Sequence, residues 1–240
     1  MTTDKKIRLA GLLILSGMCS GIFSVAPAVD SKTYLTAAAQ NSNGVLLAAV
    51  FQFIMSLTYM GVAILLYPEI KRFNRSLSIG FLGFRILAAA LSIIGTTLLL
   101  AVLALSEAYL QNPSQGSVGP GLLGNVLKAS RDYVNHVFMV LVLCTGNYLC
   151  YLLLYRSKLI PQWLSLWGMV GAFLAVSASI LFLFRQVDVI TYGYLALNVP
   201  TAIHELVLGI WLIVKGFNKS DLQPAAPSYT PLSSFRSFFY

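Results

Sequence analysis

The run 77–105 contains a single ionisable residue, Arg85. A guanidinium stays protonated in any protein environment, so in a run this apolar it needs an anionic partner, aromatic faces or water. One carboxylate sits at a matching depth, Glu205 in "NVPTAIHELVLGIWLIVKGF". At 1.5 Å of rise per residue, Arg85 lies about 13 Å from the preceding basic loop and Glu205 about 15 Å from Lys215 on the same side. A buried Arg85–Glu205 ion pair is therefore expected. Two roles fit it: transport or membrane-embedded binding of a small ligand, ion or proton through this polar layer, or a structural or assembly partner in which the pair only locks helix registry.

Further polar residues fall near the same layer. Asp132, His136, Asn147 and Tyr151 follow at spacings of four, eleven and four, which keeps them on one face of an unbroken α-helix. Tyr59, beside Thr58, reaches the same depth from the second span. Asn198 shares a helical face with Thr201, Glu205 and Gly209, and Ser78, Arg85, Ala88, Ala89, Ser92 and Thr96 share another. Such small, polar stripes suit faces turned towards other helices and away from lipid. His204 adjoins Glu205 but is rotated about 100° from it, a secondary partner at best. Together these side chains are expected to line a partly hydrated cavity open to the outside, with Arg85 and Glu205 as its floor.

Enzyme chemistry has little to stand on. "HEL" at 204–206 has no second histidine behind it, and no G-x-S-x-G, phosphate-binding loop or dinucleotide fingerprint occurs. The only two histidines, His136 and His204, lie at different depths, which argues against paired haem ligation. No cofactor, metal or catalytic residue is expected. Cys19, Cys144 and Cys150 read as small packing residues.

The elements that hold these residues follow from composition. Of the 240 residues, 58% are hydrophobic and 10% charged, with a mean hydropathy of +0.78; a chain this poor in charge cannot cover a water-soluble globule. A span needs about 20 apolar residues, and six stretches qualify, at about 9–29, 44–67, 77–105, 133–155, 163–184 and 194–214. Each must satisfy its own backbone, so all six are expected to be helices of an all-α integral membrane bundle. Positive residues orient it. With the N-terminus in the cytoplasm, that side holds eleven of the Lys and Arg residues and the other side four, Lys32, Lys128, Arg131 and Arg185, so both termini are expected inside. The net charge of +8 then serves topology and anionic headgroups, and nucleic acid is not an expected partner.

"KKIR" with an apolar run behind it and "APA" at 26–28 resembles a signal peptide, but the run is long enough for a retained helix, which is the preferred reading. In the connection 106–132, the Gly/Pro/Ser-rich first half reads as a solvated loop. "GLLGNVLKAS" either lies in the interface or extends the fourth span. Residues 218–240 read as a disordered tail. A weak repeat pairs "LLY" at 65–67 and 153–155 with glycine pairs at Gly80/Gly83 and Gly168/Gly171, all offset by 88 positions.

"LLYPEIKR", "GFRIL", "YLLLYRSKLIP" with the adjoining "WLSLWG", and "HELVLGIWLIVKGF" together resemble a bacterial family of small multi-pass membrane proteins catalogued as a domain of unknown function. The likeness runs from the first span to Phe217. It implies a protein of the bacterial cytoplasmic membrane, with lipid around it and no activity assigned, and places Arg85 and Glu205 on charged positions of the family. Ala88 departs from a further acidic position that the family resemblance implies.

Overall fold

The computed structural model describes residues 2–111, 118–189 and 191–218. The described residues form nine α-helices and one π-helical segment, and no strand occurs among them. The helices are α1 (Thr3–Phe23), α2 (Pro27–Asp30), α3 (Tyr34–Gln40), α4 (Ser42–Ile70), α5 (Arg75–Gln111), α6 (Val118–Asp132), α7 (Met139–Ser157), α8 (Gln162–Leu183) and α9 (Tyr192–Val214), with π-helix over Tyr133–Phe138 between α6 and α7. Six helical stretches are long and apolar enough to cross a membrane: α1, α4, α5, the continuous run Gly119–Ser157, α8 and α9. The chain is a multi-pass membrane protein.

Several boundaries differ from those read in the sequence. The first span begins at Thr3 and stops at Phe23, because Pro27 opens a new helix and has no N–H to continue the old one. Ser24 closes α1 by donating from Oγ to the Gly21 carbonyl at 2.7 Å. The fourth span continues back through α6, so "GLLGNVLKAS" extends it. Residues 106–111, expected in a loop, complete α5; the rest of that loop's Gly/Pro/Ser-rich part, 112–117, and the tail 219–240 lie outside the described residues.

The six spans form a closed ring in chain order: α1 packs on α4, α4 on α5, α5 on α7, α7 on α8, α8 on α9, and α9 back on α1. Lipid gives apolar side chains no reason to leave it, so such seams depend on close backbone approach and polar contacts. Glycines supply the approach. A Cβ on Gly11 of α1 would lie 2.7 Å from the Gly209 carbonyl oxygen of α9. One on Gly146 of α7 would lie 2.9 Å from Phe84 Cβ of α5, and one on Gly168 of α8 would lie 2.7 Å from both Tyr151 and His204. The repeat is shared at one glycine pair and not at the other: a Cβ on Gly80 would lie 2.8 Å from Leu149 of α7 and one on Gly168 2.7 Å from Tyr151 of α7, whereas Gly171 meets Thr201 and its counterpart Gly83 faces open space.

Two apolar cores fill the ends. One, at the end bearing Lys5, Lys6, Lys71, Arg72 and Arg156, gathers Ile7, Phe81, Leu154, Leu164 and Leu212 around Phe217. Glu69 is buried there beside that core, 1% exposed, taking Lys6 at 3.7 Å and Arg72 at 3.2 Å and a hydrogen bond from Thr3 at 3.2 Å. The other core joins Val29, Tyr34, Ala38 and Val45 to Leu99, Val102 and Leu103. At about 55 Å, the 37-residue α5 is much longer than a hydrocarbon core is thick. Its far end, with α6, α2 and α3, builds a helical cap over that end of the ring.

Candidate functional site

Five of the six spans contribute to a cavity of about 330 Å³ inside the ring. Arg85 enters it from α5, Tyr59 and Thr58 from α4, Tyr151 from α7, and Glu205 from α9, while Leu13, Met18, Met55, Val62 and Leu208 make its walls largely apolar. Gly17 of α1 keeps the cavity's edge tight, since a Cβ there would lie 2.6 Å from Thr58 Oγ1.

Arg85 is 7% exposed. Its guanidinium carbon lies 5.6 Å from the Tyr59 ring centroid and 5.5 Å from that of Phe81, so two aromatic faces partly offset its desolvation. Its Nε has no hydrogen-bond partner. Glu205, half-buried, lines the same cavity. Among the described residues the ion pairs within contact distance are Lys6–Glu69, Arg72–Glu69, Arg131–Asp30 and Arg131–Asp132; Arg85 and Glu205 share a cavity without being one of them. What the site offers is a fixed cation and a carboxylate lining one space.

A second cavity, of about 380 Å³, lies towards the cap. Asp30, Gln52, Arg131, Asn135 and His136 line it, and it shares Gly21 and Met55 with the first. Arg131 Nε and Nη2 donate to Asp132 Oδ1 at 3.0 and 2.7 Å, and Nη2 also donates to Asp30 Oδ1. Lys128 donates to the Ser31 carbonyl at 3.1 Å and stands 4.3 Å over the Tyr34 ring. Gln52 donates to Asn135 Oδ1 at 3.1 Å. His136 sits edge-on to Phe182 and Tyr194, with centroids 6.1 and 6.2 Å away.

The polar residues read from the sequence therefore divide. Tyr59 and Tyr151 line the cavity of Arg85 and Glu205, and His136 lines the second, next to which Asp132 is held by Arg131. Asn147 is buried with its Oδ1 unpartnered, and Asn198 donates to the Tyr194 carbonyl of its own helix at 2.9 Å; neither lines the two cavities. His204 turns to α8, its Nε2 3.0 Å from the Leu164 carbonyl oxygen and its ring 4.8 Å from that of Tyr151. The four-residue face from Asp132 to Tyr151 supposed a regular helix. The π-helical segment Tyr133–Phe138 has more residues per turn and so rotates the faces of α6 relative to those of α7.

Glu69 and Asp30 were missed as partners in the sequence. Glu69 sits in the charged stretch "PEIKRFNRS", which reads as a loop, yet α4 continues through Pro68 to enclose it. Asp30 lies directly after the apolar run of the first span, and its tie to Arg131 crosses 101 positions of sequence. The only local signal was the adjacent pair Arg131–Asp132.

No curated protein and no solved structure matches the chain. The model of a family described as a domain of unknown function, DUF4386, matches residues 9–216, which takes in the first span from residue 9, the other five spans whole and every cavity residue named above. By that match the chain belongs to the DUF4386 family.

Proposed function

We propose that this protein binds a small ligand within the membrane, holding an anionic group of that ligand against Arg85 inside the helix ring. The observation that carries the reading is the combination of a guanidinium 7% exposed, an unpartnered Nε and a cavity of about 330 Å³ in front of it. A volume of this order suits a small molecule, and apolar walls with a few convergent polar groups are the usual make-up of a ligand site. A buried cation without an oxygen partner gains charge-assisted hydrogen bonds from an anionic guest. Glu205 would then face a cationic or donor group on the same guest.

We place the protein in the bacterial cytoplasmic membrane with both termini inside. The excess of Lys and Arg at the end holding α1's start and the α4–α5 and α7–α8 connections supports that orientation. The second cavity, with Asp30, Arg131 and His136, would then open towards the outside.

A structural role for Arg85 has one observation in its favour: the faces of Tyr59 and Phe81 hold the guanidinium without any guest. Native mass spectrometry of protein purified from membranes in a mild detergent separates the two. The binding reading expects a non-covalent adduct on the wild type that Arg85→Gln loses while remaining folded. Identical bare spectra for both would leave the structural role standing.

A further inference from the structure

The cavity of Arg85 is bounded on one side by the seam between α1 and α9, and that seam is closed along only part of its length. On α1, Gly11, Leu15, Met18 and Ile22 share one face, at spacings of four, three and four; on α9, Gly209, Glu205, Ala202 and Asn198 do the same in the opposite direction. At one end the two faces touch. A Cβ on Gly11 would meet the Gly209 carbonyl oxygen at 2.7 Å, and one on Gly209 would meet Leu15 Cδ2 at 2.7 Å.

Towards the cap both helices carry exposed residues on the rim of the cavity. Ile22 is 71% exposed and Ala202 is exposed, yet both line the cavity. Gly17 and Gly21 keep α1 on α4 over this stretch, against Thr58 and Met55, so the open rim is on the side of α9. Pro200, inside α9 just beyond Ala202, removes a helical N–H there and crowds the preceding turn. The result is a gap with its apex at Gly11 and Gly209 and its mouth between Ile22 and Ala202. Because α1–α9 is a seam of a closed ring of spans, the mouth faces the surrounding hydrocarbon.

We propose that the cavity takes a single-chain zwitterionic amphiphile of the lysophospholipid class from the bilayer through this gap. The proposal rests on the binding role argued above and names the guest. Charge complementarity selects the head: a phosphate oxygen meets the unpartnered Nε of Arg85, and an ammonium faces Glu205 with Tyr59 and Tyr151 beside it. Leu13, Met18, Met55 and Leu208 take the first methylenes, and the rest of the chain leaves between Ile22 and Ala202 into lipid. A doubly anionic head is disfavoured by the carboxylate in the same space, and a guest without a chain would leave the apolar walls wet.

The test is native mass spectrometry in maltoside micelles with two added probes, lauroyl lysophosphatidylcholine and its head alone, phosphocholine. One lysolipid is expected per wild-type chain, with phosphocholine far weaker. Ala202→Trp, an exposed position that fills the mouth and leaves Arg85 untouched, should weaken lysolipid binding at least about tenfold, as should Arg85→Gln, which removes the charge-assisted bond. Should phosphocholine bind as tightly as the lysolipid and Ala202→Trp have no effect, the cavity binds a soluble guest arriving by the second cavity: the gap proposal is overturned and the binding role survives. No Arg85-dependent binding of either probe overturns the lysolipid proposal, and the adduct on protein as purified then decides the binding role separately.

Discussion

Gly11→Val is expected to lower the stability of the bundle by about 3 kcal/mol or more, at the upper end of the cost of overpacking a close contact. The reason is where the new atoms fall. A Cβ at position 11 would already lie 2.7 Å from a backbone oxygen, that of Gly209, with Ile213 Cγ1 at 2.9 Å and Leu212 Cβ at 3.1 Å. A side chain can swing aside; a carbonyl inside α9 cannot move without its helix. The two Cγ groups of valine would therefore push α1 off α9 and break the seam that closes the ring. Thermal unfolding in detergent measures the loss, and a control at Gly83, which has open space around its Cβ position, should melt within about 1 kcal/mol of the wild type, close to the modest gain or loss of a Gly→Ala change in a helix.

Arg131→Ala should act at the other end. Among the described residues Arg131, 8% exposed, is the one cation that touches both Asp30 of α2 and Asp132 of α6. Removing it leaves two carboxylates facing each other over a partly buried space. Breaking a fully buried pair costs about 3–5 kcal/mol. Here the Asp side chains keep 33% and 30% of their exposure, so water recovers part of that and a loss of about 2–3 kcal/mol is expected. Hydrogen exchange should localise the damage, with faster exchange in α2, α3 and α6 and little change around Phe217. Arg131→Lys keeps the charge but offers no planar fork, and should recover only part of the loss. Uniform protection in Arg131→Ala would mean that the cap is held by its apolar core alone.

What the sequence disclosed and what it withheld separate along physical lines. Span number and helical character come from hydropathy and from the need to satisfy the backbone in lipid, and six apolar helices are found. The common depth of Arg85 and Glu205 needed only the rise per residue, and both line one cavity. Their lack of direct contact was not legible, because it depends on where a long side chain finds aromatic faces, and Phe81 on the same helix and Tyr59 on the next supply them. Rotational phase along the fourth span was lost for another reason: a π-helical turn at 133–138 leaves no mark in a pattern read at 3.6 residues per turn. Of the cap, α6 was legible as an extension of the fourth span, but α2 and α3 were missed because their stability comes from long-range packing of Tyr34 and Val29 on Leu99 and Leu103, while their sequence is rich in the small and polar residues typical of loops.

The central claim is that Arg85 and Glu205 both serve the space between them and do not brace each other. A double-mutant cycle on detergent thermal stability, with Arg85→Met, Glu205→Gln and the double variant, tests it most directly. Opposite charges that share a cavity without touching should couple by about 0.5–3 kcal/mol and leave the double variant less stable than the wild type. A double variant restored to wild-type stability after singles that each lose about 3–5 kcal/mol would show a locked buried ion pair, and would contradict the account.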